Sequence, residues 1–153
     1  MEMDYQRILN DIRRGRLPHV GSGAGRNVYD MGNGYVVKVA KNGFGMEQNR
    51  NEHRLSLLYN GNLLARVMSA SDDHRMLVMQ AAESIRNMKP VLDYFHVGTR
   101  KALYFAPELV DLVRTHRLVH REFLWPRNWG LIGKRPVIID YGFVLRRRRR
   151  RLI

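Results

Sequence analysis

A single lysine set inside an apolar strand, close behind a glycine-rich turn, constrains this chain more than any other feature. Residues 34–40 read Gly-Tyr-Val-Val-Lys-Val-Ala, a β-branched and aromatic run that favours a strand. Lys38 lies in its middle, where an ammonium needs a partner or carries a heavy desolvation cost. A lysine on a strand edge facing water is the plainer alternative. Ahead of it, residues 21–28 read Gly-Ser-Gly-Ala-Gly-Arg-Asn-Val, followed by Tyr29, and Met31, Gly32, Asn33 and Gly34 supply a turn. The segment therefore predicts strand, turn, strand. Glycines tolerate positive φ and let backbone come close to a ligand's phosphate oxygens. Taken alone, such a loop is also what an ordinary turn looks like.

The remaining elements follow from periodicity. Residues 47–59 predict a helix, with Leu55, Leu58 and Tyr59 at helical spacing and Glu52 three residues before Leu55. Two apolar runs, 63–68 and 76–79, flank the polar turn 69–75 and predict a hairpin. Beyond it, residues 90–97 and 107–119 predict helices. Pro107 suits a first helical position, Leu109, Val110, Leu112 and Val113 form the stripe, and Arg114, His116 and Arg117 form a basic end. Asn128 precedes one short apolar strand and Asp140 ends another. Loop ends of paired strands can hold two oxygen ligands close together, as hard Mg²⁺ requires when phosphate and water supply the rest. Asn and Asp are also common turn formers at strand ends.

Taken in order, these segments resemble the protein kinase superfamily. The family pattern is G-x-G-x-x-G-x-V, then V-A-I-K, a helical Glu, a catalytic loop ending in Asn, and D-F-G. Gly21, Gly23 and Val28 fall in register, whereas Arg26 stands where the third glycine is expected and Gly25 comes one place early. The likeness spans roughly residues 20–143. It implies an α+β, protein kinase-like fold: a five-stranded antiparallel N-lobe with helix C, then a strongly reduced helical C-lobe. It also implies ATP and Mg²⁺ as cofactors. Gly21, Ser22, Gly23 and Val28 would cover the nucleotide, and Lys38 would meet the α- and β-phosphates. Glu52 would pair with Lys38, with Glu47 the competing carboxylate. Met79, Gln80 and Ala81 would form the hinge at the adenine edge, Asn128 would take one metal, and Asp140 would bridge both metals to the phosphates.

One departure bears on chemistry. The catalytic Asp of the family lies five residues before that Asn, and Phe123 occupies this position; a phenyl ring accepts no proton. His120, Arg121 and Glu122 look like His-Arg-Asp displaced by one residue, so a one-residue insertion would make Glu122 the base. Without it the site lacks a base, although positioning and charge neutralisation do most of the work in phosphoryl transfer. His120 fits a basic helix end. His19, His53, His74, His96 and His116 show no ligand spacing, so zinc is not indicated.

The expected organisation is a single kinase-like domain over residues 1–153. Residues 1–16 form an extra helix, amphipathic through Ile8, Leu9 and Ile12, that docks on the small lobe or on a partner. Residues 17–81 form the N-lobe, with the lobe boundary near 81–87, residues 82–144 the reduced C-lobe, and residues 145–153 a polyarginine tail. No activation segment or Ala-Pro-Glu follows Asp140, so substrate would be bound by a partner, by the terminal helices, or not at all, and self-association would cover leftover apolar surface.

The chain carries 27 basic against 14 acidic side chains, a net charge of +13; setting aside the six arginines of 146–151 leaves 21 against 14, still +7. Such a surface attracts nucleic acid, anionic lipid or an acidic protein. Without a recognition-helix or RNA-binding aromatic signature, any nucleic-acid contact would be to phosphate. Cysteine is absent, which excludes disulfides and thiol catalysis. No signal-like or membrane-length apolar run is present, and a cytoplasmic location is expected. Two functions compete. One is a minimal ATP- and Mg²⁺-dependent phosphotransferase of protein kinase type, acting on a protein or on itself. The other is a degenerate, pseudokinase-like regulator that binds nucleotide and an anionic or protein partner. A purely phosphate-directed nucleic-acid binder is a third, weaker reading.

Overall fold

The computed structural model describes residues 2–145. The arginine run of 146–151, with Leu152 and Ile153, lies outside them.

Strands β1 (His19–Ser22), β2 (Arg26–Asp30), β3 (Tyr35–Ala40), β4 (Val67–Ala70) and β5 (Met76–Gln80) form one antiparallel sheet in the order β1-β2-β3-β5-β4. The β2–β3 turn works because Gly32 and Gly34 adopt φ of 75° and 88°, a region most side chains avoid. Strand alternation then divides the sheet. On one face Val37, Met76 and Val78 pack against Ile8 of helix α1 (Tyr5–Arg13), with Leu9 and Ile12 flanking. Asp4 caps α1 by accepting the Arg7 amide at 3.0 Å. The extra helix thus docks on the small lobe.

The other face, through Val36, Lys38, Leu77 and Met79, looks toward helix α2 (Gly43–Leu58) and the larger core. Asn42 caps α2, its side chain accepting the Gly45 amide at 3.0 Å. At the far end, the Arg66 guanidinium donates to the carbonyls of Ser56, Tyr59 and Gly61 at 2.5–2.9 Å, satisfying oxygens that a helix terminus leaves unpaired.

The second half is the reduced helical lobe. Helices α3 (Lys89–Tyr94) and α4 (Pro107–His116) are joined by a 3-10 segment at Lys101–Phe105, and two more, His120–Leu124 and Pro126–Asn128, follow α4. A small antiparallel sheet of β6 (Glu83–Ser84), β7 (Trp129–Ile132) and β8 (Arg135–Ile138) accompanies them. Three expectations need correction. The hairpin does not use the whole apolar run 63–68: Leu63 and Ala65 exchange backbone hydrogen bonds with Ile138 in the second sheet, and strand β4 begins only at Val67. Helix α4 stops at His116 because Arg117 turns left-handed (φ 56°) and ends the helical path. Helix α3 ends at Tyr94, three residues short of the expected Val97. Trp129, Tyr141, Phe123, Leu103, Leu109, Leu112 and Ile138 are all fully buried and, with Leu63, Leu64 and Met79, make one core that runs between the two sheets. Among the described residues no helix is long and apolar enough to cross a membrane.

Candidate active site

A cleft of about 860 Å³ lies between the five-stranded sheet and the second half of the chain. Its walls include Gly21, Ser22, Gly23 and Val28 from the glycine loop, Lys38 from β3, Met79 and Gln80 at the end of β5, and Ala81 just after it. Glu122, Asn128 and Asp140 complete them from below. Every site residue expected from sequence lies on this one surface except Glu52, which is fully buried behind it.

The glycine loop is seated by close backbone contacts. A Cβ on Gly45, in the first turn of α2, would lie 1.9 Å from the Gly25 carbonyl oxygen, and one on Gly25 would meet Gln48 at 2.6 Å. The glycine found one place early is therefore what brings loop and helix together. Lys41 Nζ donates to Ser22 Oγ at 2.8 Å and to the Gly23 carbonyl at 2.7 Å, holding the tip. At Gly23 an added Cβ would meet nothing within 4 Å, so this part of the loop faces open space.

Behind the loop stands a charge network. Lys38 Nζ donates to Glu52 Oε1 at 2.8 Å and to the Ile139 carbonyl at 2.5 Å. Glu52 Oε2 accepts the amides of Tyr141 and Gly142, each at 3.0 Å. Helix α2 is thus tied at once to the strand lysine and to the segment after Asp140. Gly142 permits this approach: a Cβ there would lie 2.9 Å from the Gln48 carbonyl oxygen. Glu47 is exposed and stays outside the network.

A residue noted in the sequence only as a departure joins the same carboxylate. Arg26 donates to Glu52 through both guanidinium nitrogens at 2.7 and 3.0 Å, to Asn49 Oδ1 at 3.0 Å, and to Asp140 Oδ1 at 3.0 Å. It is 5% exposed. Burial opposes each of these charges, and the neighbours decide the outcome. Burial alone would raise Glu52, but Arg26 and Lys38 hold it down at about 2. Burial and the nearby Arg26 charge lower Lys38 against the pull of Glu52. For Arg26 the burial effect is outweighed by Glu52 and Asp140, which keep it protonated. Burial and the Glu52 charge raise Asp140 against the two cations.

Below the cleft, Asn128 is buried and its Nδ2 donates to the Glu122 carbonyl at 2.6 Å. That commits the amide nitrogen and leaves Oδ1 as the atom available to a ligand. The Ile139 amide donates to the Asn128 carbonyl at 2.9 Å, coupling the two loops. Asp140 lies two residues past the end of β8, its side chain 32% exposed. Two oxygen donors beside a space for phosphate suit a hard cation that keeps most of its own water. Among the described residues no cluster of three His, Cys, Asp or Glu side chains offers a self-sufficient metal site.

The departure at Phe123 resolves into an in–out pair. Phe123 is wholly buried in the core, its carbonyl accepting the Trp129 indole N–H at 2.9 Å. Glu122 lines the cleft, with Arg127 Nη2 3.7 Å from its carboxylate. His120 is turned away and meets the Leu103 carbonyl at 3.2 Å. At the hinge, the amides of Gln80 and Ala81 are already used, donating to the carbonyls of Arg66 and Gly34 at 2.9 and 2.8 Å. Ala82 is the next residue along the cleft wall.

A five-stranded antiparallel sheet with one helix packed behind it, joined by a lysine–glutamate pair to a reduced helical lobe, defines the protein kinase-like fold. Solved structures agree. The streptomycin–ATP–APH(2")-IIa ternary complex matches with a TM-score of 0.53 and 15% identity, over 93% of this chain and 71% of that one. The gentamicin–APH(2")-IIa complex matches with a TM-score of 0.54 and 16% identity, over the same shares. No family model and no curated protein matches the chain.

Proposed function

We propose that this chain is a minimal phosphotransferase that binds ATP with Mg²⁺ in the cleft and transfers the terminal phosphoryl group to a protein or to itself. The carrying observation is the Lys38–Glu52 pair at 2.8 Å, opening on the same cleft as the glycine loop, Asn128, Asp140 and Glu122. The presence of ATP in one structural neighbour adds support for the nucleotide.

In this reading the open glycines admit the phosphates and Lys38, aimed by Glu52, neutralises their charge. Asn128 Oδ1 and Asp140 hold the divalent ion, which supplies charge stabilisation for the transferring group when bound. Glu122 takes the hydroxyl proton of the acceptor. Its carboxylate is partly exposed in the cleft while the neighbouring Phe123 is committed to the core, so of the two it is the one able to act as a base.

The test is binding of a non-hydrolysable ATP analogue by calorimetry, then transfer from labelled ATP. Lys38→Ala and Asp140→Ala should each weaken binding, and Glu122→Gln should spare binding while abolishing transfer. Unchanged affinity in both of the first two variants refutes the site. The buried Phe123 at the position of the family's catalytic Asp favours the second reading, a regulator acting by occupancy. Nucleotide binding without transfer, with protein acceptors and with the streptomycin and gentamicin of the neighbouring complexes, would select it.

A further inference from the structure

Arg26 closes the glycine loop at the start of β2, yet its side chain reaches the far wall of the cleft. Its guanidinium joins Glu52 and Asp140 with bonds of 2.7–3.0 Å and is itself part of the cleft lining. Glu52 does not lack partners without it, since Lys38 and two backbone amides already use both carboxylate oxygens. Asp140 is different. Among its described side-chain contacts, the single hydrogen bond at 3.0 Å comes from Arg26.

The charges make the consequence concrete. Arg26 and Lys38 balance Glu52 and Asp140, so the four side chains sum to zero before any ligand arrives. With Lys38 alone the set would be net negative, and a polyphosphate would meet repulsion that metal ions would have to offset. The same contact also engages one of the two oxygens of Asp140. A carboxylate that bridges a pair of ions with one oxygen to each needs both.

The geometry points to Arg26 as a protein-supplied cation standing where a second metal ion would otherwise be bridged by Asp140, leaving this cleft a single-metal, weakly metal-dependent triphosphate site. This rests on the reading of the cleft as a nucleotide site and specifies how that site handles charge. A guanidinium suits the task because it stays protonated and its fork satisfies two carboxylates at once.

The test uses the whole protein and reads binding, not turnover. A non-hydrolysable ATP analogue is titrated calorimetrically with Mg²⁺ and with EDTA, and bound Mn²⁺ is counted by electron paramagnetic resonance in the presence of the analogue. Wild type should lose at most about tenfold in affinity on metal removal, whereas Arg26→Met should lose on the order of a hundredfold, the range of one charged hydrogen bond or more. Wild type should hold a single Mn²⁺ and Arg26→Met should take up another. Arg26→Lys, which keeps the charge, should retain most of the metal-free binding. The wild-type measurements stand even if Arg26→Met fails to fold: two bound Mn²⁺ ions, or binding abolished by EDTA, overturn the assignment. Absence of analogue binding with Mg²⁺ present instead removes the nucleotide reading itself, and this inference with it.

Discussion

Glu52→Gln probes the junction on which the cleft depends. The substitution keeps the side-chain volume but removes the charge and turns one acceptor oxygen into a donor. In the native chain that carboxylate accepts five hydrogen bonds of 2.7–3.0 Å, three from cationic nitrogens and two from amides. The variant would leave Arg26 and Lys38, both 5% exposed, with Asp140 as the remaining carboxylate near them. Removing one partner of a buried ion pair costs about 3–5 kcal/mol, a large part of the roughly 5–15 kcal/mol that holds a domain of this size. Urea unfolding at neutral pH should show the loss as a lower midpoint without a change in slope. The pH dependence gives an independent check. Glu52 is held at about 2 in the folded state against an ordinary 4.5, so its contribution is fully present above pH 4.5 and disappears as pH falls toward 2. By linkage that contribution is on the order of 3 kcal/mol. The stability gap between wild type and variant should therefore narrow from pH 6 to pH 3, other titrating groups being common to both. A gap below about 1 kcal/mol at neutral pH, or one that does not change on acidification, would refute the account of Glu52 as the charged centre of the fold.

Glycine packing and core placement give further checks. Gly45→Ala should destabilise by about 1–3 kcal/mol and disturb analogue binding, because its Cβ would strike the Gly25 carbonyl; Gly23→Ala, in open space, should leave unfolding unchanged. Phe123→Ala should cost about 3–5 kcal/mol by thermal or urea melting, as befits a core residue; a neutral result would mean the ring is not packed as described. Tyr141→Phe removes the hydroxyl that donates to the Ala65 carbonyl at 2.7 Å and should cost about 1–2 kcal/mol, measured the same way.

Much of this architecture was written in local patterns. Tyr29 and the β-branched, aromatic run 34–40 marked β2 and β3, and the apolar run 76–79 marked β5. The glycines at 32 and 34 marked the turn between strands, and the Leu55 periodicity marked α2. Lys38 could be singled out because a charge in an apolar strand demands a partner; Glu52 was favoured over Glu47 through the resemblance of its helix to the kinase helix C. Asn128 and Asp140 were readable from their places at strand ends. These signals depend on neighbours a few residues away, which the order of amino acids states directly.

What the tertiary structure decided involves residues far apart in the chain. Arg26 read as a flaw in a glycine pattern; its partners lie 23, 26 and 114 positions away, and no local periodicity encodes such a meeting. The run from Leu63 looked like one strand because all of it but Arg66 is apolar, but only packing against Ile138 divides it between two sheets. Likewise, Glu122 and Phe123 are adjacent letters that a turn of 3-10 helix sends to opposite environments, one to the cleft and one to the core. Burial and charge pairing are properties of surfaces brought together, and the free energy that selects them is set only when both surfaces are in place.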